Sequence, residues 1–153
     1  TVVIKEISRE PGARTKIAIY STDERVDAVG ACIGNKGARV NAIVEELRGE
    51  KIDIIPWSEN PLEFIAKALS PARVISVTQL EGEKSAMAVV PDDKLSLAIG
   101  KDGQNARLAV KLTGWKIDVK SQSNAEKLGL LNAEAAETAE PESRTEEVSE
   151  LPE

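Results

Sequence analysis

Histidine is absent from the 153 residues, and cysteine, methionine, tyrosine and phenylalanine occur once each. Without histidine there is no Ser-His-Asp arrangement, and no clustered Cys, His or acidic set suggests a metal site. The expectation is a protein that is not an enzyme and needs no cofactor. A lone Cys32 closes no internal disulfide, which fits a reducing compartment. Its place beside Ile33 reads as a small core side chain. Aromatic residues make up 3% of the chain, so the core must be built from Val, Ile, Leu and Ala. No apolar run approaches the ~20 residues that span a bilayer, and no signal-peptide pattern is present. A cytoplasmic, monomeric protein without membrane contact is expected.

What is present is unevenly charged. The formal net charge is −6. Residues 121–153 hold nine acidic and two basic groups, a net −7, whereas residues 1–120 hold eighteen basic and seventeen acidic groups, a net +1. The acidity belongs to the tail, and a near-neutral body can still carry a local basic stripe. Ala, Glu, Ser, Thr and Pro dominate the tail, which reads as a solvated, disordered segment able to dock on a partner or compete for a basic surface. "NAEKLGLLNAEAAE" within it could form a transient helix.

The body reads as a repeat. "TVVIKEI" and "KIAIYS" alternate as strands, with Pro11-Gly12 at a turn between them. Val26, Val29 and Ile33 keep helical spacing. Val40, Ile43, Val44 and Leu47 form a second helical stripe, and "KIDII" is a strand. Asn60 and Pro61 suit an N-cap and first helical position. The pattern then restarts: "RVISVTQL" and "SAMAVV" as strands, a short helix capped by Asp92, a longer helix to about Leu112, and "WKIDV" as a strand. "IGNKGARVNAIVEELRGEKIDI" lies over "IGKDGQNARLAVKLTGWKIDV" with one residue deleted. The fold class is α+β, two tandem copies spanning 1–58 and 59–120, each a three-stranded sheet with helices. Ala42 and Glu46 of the first copy correspond to Leu108 and Leu112 of the second. The extra apolar face predicts that the second helix packs against the first copy and makes the pair one rigid body.

Each copy breaks its helix pair with two glycines three apart, Gly34 and Gly37, then Gly100 and Gly103. Glycine admits unusual backbone angles and lets a ligand approach the main chain. The helix that follows presents its free N–H groups and positive dipole end at the same place, an arrangement that suits phosphate. Lys36 and Lys101 put a cation in each loop, and Arg39 and Arg107 follow in the first turns. Ile33, Val40 and Ile99 could line a groove for bases. The loops follow helices rather than strands, and neither G-x-x-x-x-G-K-[ST] nor G-x-G-x-x-G is present, so a mononucleotide site is disfavoured. A GxxG loop in a β-β-α-GxxG-α-β frame is the RNA-binding KH arrangement.

"GACIGNKGARV", "GEKIDII", "ALSPARV" and "LSLAIGKDGQNARLAVKLTGWKIDV" resemble the tandem KH region of the NusA family of bacterial transcription elongation, termination and antitermination factors. The likeness covers about residues 1–120 and implies prokaryotic-type (type II) KH domains that bind single-stranded nascent RNA. It implies a first clamp of Gly34, Asn35, Lys36, Gly37 and Arg39, and a second of Gly100, Lys101, Asp102, Gly103, Gln104, Asn105 and Arg107. Ala106 departs from the aliphatic residue that the general KH pattern wants three positions after the second glycine, which Val40 supplies. Family members also carry an RNA polymerase-binding domain and an S1-type domain. The helix that ordinarily precedes the first KH strand would lie upstream of Thr1, so the first copy is expected to be the less stable. Trp57 and Trp115, flanking corresponding strands, read as packing residues or base-stacking platforms, and Arg14 and Lys16 as strand-edge charges or peripheral phosphate contacts. Two other classes stay open: a KH accessory domain of an RNA-associated GTPase or nuclease, and a protein-interaction module with vestigial GxxG loops.

Overall fold

The computed structural model describes residues 2–34 and 37–136. Strands β1 (Val2–Glu10) and β2 (Arg14–Ser21) form an antiparallel hairpin, with the Ala13 N–H donating to the Glu10 carbonyl at 3.0 Å across the turn. Gly12 sits at φ +79°, the left-handed angle that a type II turn demands of its third residue. Helices α1 (Ala28–Ile33) and α2 (Ala38–Glu46) follow, and β3 (Lys51–Pro56) returns parallel to β2. The second copy repeats the layout. Helix α3 (Pro61–Ala68) starts at Asn60, whose side chain accepts from the Leu62 N–H at 3.1 Å. Strands β4 (Ser76–Gln79) and β5 (Ser85–Val90) are antiparallel. A 3-10 turn at Asp92–Lys94, α4 (Leu95–Ile99), α5 (Gln104–Thr113) and β6 (Lys116–Ser121), parallel to β5, complete the copy. Each half is therefore a three-stranded sheet with helices, as expected from the repeat.

The two halves share one core. Ala18 and Ile55 from the first sheet join Phe64, Ala68, Leu69, Ala88, Ala109 and Leu112 from the second copy in a single buried cluster. Leu108 is fully buried as well, and α5 packs on both β1 and β2. The apolar difference between α5 and α2 thus has the expected consequence. The corresponding helix α2 buries no residue, and Ile43 on its apolar stripe stays 50% exposed. The β1–β2 register shifts between Ile4 and Glu6, a bulge at Lys5. The Lys5 ammonium lies 4.5 Å from the Trp57 ring centroid, and Trp57 meets Tyr20 edge-on at 5.5 Å. Trp57 packs against the shared core, consistent with the packing reading of this residue.

Three expectations need correcting. Arg14 and Lys16 are not strand-edge charges: Lys16 is fully buried and its ammonium donates to Asp53 at 2.8 Å and to the Ser70 carbonyl at 2.6 Å, while Arg14 donates twice to Asp53. Strand β2 is the centre of its sheet and lies under the second copy, so both its faces are covered. Asp92 does not cap the helix that follows it. Its carboxylate instead accepts from the Ser123 N–H at 2.9 Å and the Ser123 hydroxyl, capping α6 (Gln122–Ala136). The segment from Ser121, read as a solvated tail, is therefore helical to Ala136. The remainder of the acidic tail lies outside the described residues. Among the described residues no helix is long and apolar enough to cross a membrane.

The hairpin end is fixed by one carboxylate. Glu50, 1% exposed, accepts from Arg9 at 2.8 and 2.7 Å, from the Gly12 N–H at 3.0 Å and from the Thr15 hydroxyl. The Arg9 bonds, helped by Thr15, hold its pKa at about 2 against an ordinary 4.5. A carboxylate shifted down on folding stabilises the native state above pH 4.5, and that contribution disappears as the pH falls through about 2. Glu50→Gln should lower stability at neutral pH and flatten the acid limb of a urea-midpoint titration across that window. An unchanged acid limb would contradict this assignment.

Candidate nucleic-acid interface

The glycine pairs adopt one geometry twice. Gly34 ends α1 at φ 79°, ψ −178°, and Gly100 ends α4 at φ 82°, ψ 167°. Gly37 and Gly103 both open the next helix in the left-handed region, at φ 76°, ψ 14° and φ 77°, ψ 10°. The first glycine of each pair is needed for space as well as for angle. A Cβ on Gly100 would lie 2.6 Å from the Asn105 backbone nitrogen, and one on Gly34 would lie 2.8 Å from the Arg39 Cγ. The loop therefore folds back onto the first turn of the following helix, and no larger residue fits.

That first turn is tied to the preceding helix in both copies. Arg39 donates to the Ala31 carbonyl at 2.7 Å. Asn105, its counterpart by position, donates to the Ala98 carbonyl at 2.9 Å and the Leu69 carbonyl at 3.0 Å. These bonds occupy carbonyls that a helix end otherwise leaves without partners. Asn105 is 2% exposed, and through these two bonds its side chain braces the loop. Arg39 stays exposed. Asn35 and Lys36, the centre of the first clamp, lie outside the described residues.

In the second copy the loop residues are on the surface. Lys101 and Asp102 are exposed, and Asp102 takes a left-handed conformation, φ 55°, ψ 27°. A cleft of about 310 Å³ opens beside them, lined by Arg14 and Lys51 of the first copy and by Leu97, Lys101 and Gln104 of the second. Lys51 is exposed there, whereas Arg14 is engaged with Asp53. Two sequence-predicted residues carry a partner that no local pattern indicated. Glu10, at the end of β1, accepts from Gln104 Nε2 at 3.2 Å and from Arg107 Nε and Nη2 at 2.6 and 3.0 Å. Arg107 also donates to the Asp102 carbonyl at 2.9 Å. The Arg107 bonds, followed by Gln104, hold the Glu10 carboxyl at about 2, so it is an anion throughout the ordinary pH range.

Comparison with known proteins also finds two KH domains in order. The NusA-like first KH domain profile matches residues 1–57 and the NusA-like second KH domain profile matches residues 61–127. Among curated relatives, the transcription termination/antitermination protein NusA of Halalkalibacterium halodurans is 60% identical over 136 residues, 89% of this chain and 36% of that one. The Bacillus subtilis protein of the same name is 57% identical over 141 residues, 92% and 38% respectively. The Thermus thermophilus protein is 48% identical over 143 residues, 94% and 37%. The chain thus spans under two-fifths of the length of these relatives. With both halves matched in order, and with the sheet, helix pair and GxxG geometry repeated in each, the chain belongs to the NusA family as a tandem KH region.

Proposed function

We propose that residues 1–58 and 59–120 bind single-stranded RNA through paired GxxG loops, within a cytoplasmic factor of transcription elongation, termination and antitermination. The observation that carries this reading is the near-identity of the two glycine pairs in backbone angle, each opening a helix that no side chain caps, at the end where phosphate is favoured. Gly34, Gly37 and Arg39, with Asn35 and Lys36, form the first contact set. Gly100, Lys101, Asp102, Gly103, Gln104 and Arg107 form the second. Lys101 supplies charge, while Asp102 contributes through its backbone, since a carboxylate repels phosphate. The names of the relatives support the process, and RNA polymerase is the natural partner of such a factor. The protein works as a monomer without membrane contact, and its acidic tail is a segment for a protein partner.

Placing Asp at positions 35, 36 and 101 should weaken binding to a short unstructured RNA about 100-fold, because charge-assisted phosphate contacts are replaced by repulsion. Secondary structure by circular dichroism should be unchanged. Binding by the parent chain should also fall as salt rises, through counterion release. Undiminished affinity of the triple variant would overturn the RNA-clamp reading.

A further inference from the structure

The second loop is not electrostatically free. Its two following polar residues, Gln104 and Arg107, are turned onto a carboxylate from the other copy, 97 residues away in sequence at Arg107. That carboxylate, at the end of β1, meets two side chains of α5, the ten-residue helix that opens at the loop. The two Arg107 bonds, at 2.6 and 3.0 Å, make a fork of the kind that matches carboxylate and phosphate alike. Glu10 does not wander into this position. It precedes the turn that Glu50 pins through Arg9, Gly12 and Thr15, and its neighbour in the register is Arg14.

We propose that Glu10 is a built-in competitor for phosphate at the second GxxG loop, holding Gln104 and Arg107 until an RNA strand displaces it. The inference rests on the RNA-clamp reading above. It follows that RNA at the second loop exchanges one anion for another at Arg107, so the affinity realised there is lower than the exposed charges suggest. It also follows that a strand seated at the second loop breaks the Glu10 contact between the copies while Glu50 keeps the turn in place. The competitor thus sets how strongly the second loop discriminates against weak or short ligands.

The test uses the whole chain and a short unstructured RNA oligonucleotide. Glu10→Gln keeps the shape and removes the charge. It should bind about three- to fivefold more tightly, the scale of one exposed ion pair. The slope of log affinity against log salt should steepen by about 0.7, one additional phosphate contact on a single strand. Glutamine keeps one acceptor oxygen, so Glu10→Ala serves as the second variant and should show the same gain. Arg107→Ala should weaken binding in both backgrounds, and several-fold more in the Glu10→Gln background, because there the phosphate contact displaces no carboxylate. A contact that merely braces the two halves predicts the opposite, weaker binding on removal of Glu10. Equal or weaker binding by both Glu10 variants overturns the proposal while leaving the clamp intact, provided that the parent binds and the loop-Asp variant does not. If the parent itself fails to bind RNA, both readings fall.

Discussion

Replacing Leu112 by glutamate should abolish cooperative folding of both halves together, and Leu112→Ala should lower the stability of both by the same amount. Leu112 is 2% exposed and lies in the one cluster that draws on both sheets. Removing its side chain to the β-carbon costs about 2–5 kcal/mol. An unpaired carboxylate in the same space adds a further desolvation cost of several kcal/mol. Against a whole-domain stability of about 5–15 kcal/mol the sum is decisive. The equivalent position on α2 is Glu46, which is exposed and tolerates its charge. Trp57 follows β3 of the first half and Trp115 precedes β6 of the second, so Trp57→Phe and Trp115→Phe forms of the Leu112→Ala protein, each keeping one tryptophan, can be unfolded in urea side by side. Coincident transitions, both shifted, are expected. Two separate transitions, with only the Trp115 signal moved, would show that the halves hold independent cores.

This outcome sharpens an idea that the sequence alone suggests in weaker form. Leu108 and Leu112 opposite Ala42 and Glu46 point to a docking face, and docking faces can be opened while each partner stays folded. The packing shows instead that Phe64, Leu69 and Ala88 of the second copy depend on the same side chain as Ala18 and Ile55 of the first. There is no seam to open. Leu112 belongs to the interior of both.

What could be read in the sequence was mostly local. The glycine pairs are legible because their requirement is a backbone angle and a close approach, both satisfied within six residues. The sheet order follows from strand spacing and the short β1–β2 turn. Residues whose role depends on distant partners were not legible. Arg107 reads as a free cation until Glu10 is brought to it, and Asn105 reads as a polar contact until Leu69 and Ala98 turn carbonyls toward it. Lys16 looks like any exposed strand lysine, since no pattern within "RTKIAIYS" says that β2 will be covered on both faces. Helix α6 is foreshadowed in "NAEKLGLLNAEAAE", but its anchoring to the body is not, because Asp92, which accepts from Ser123, lies 31 residues earlier.

The buried Lys16 carries the second large effect. Its ammonium is fully enclosed, bonded to Asp53 of its own sheet and to the Ser70 carbonyl of the second copy. Burial is the largest influence on its pKa and pushes it down, with Asp53 opposing. Burial likewise pushes Asp53 up, but Arg14 and Lys16 outweigh it and leave the carboxyl below its ordinary value. Asp53→Ala strands a buried charge beside the Arg14 guanidinium, and breaking a buried pair in this way costs about 3–5 kcal/mol. Lys16→Met leaves Asp53 paired with Arg14 and deprives only Ser70 of a donor, so it should cost about 1–3 kcal/mol. The double variant should be more stable than Asp53→Ala alone, the reverse of additivity. Urea unfolding of the four proteins measures the cycle. The pH dependence gives a second reading. A lysine whose folded pKa lies below the unfolded 10.5 binds fewer protons when folded, so stability rises as the pH climbs from the folded value toward 10.5. Removing Asp53 lowers the folded value further and should widen that rising limb toward neutral pH. Equal losses from Asp53→Ala and Lys16→Met, with parallel alkaline limbs, would mean that Lys16 is solvated in solution and that its contact with Ser70 does not tie the two copies.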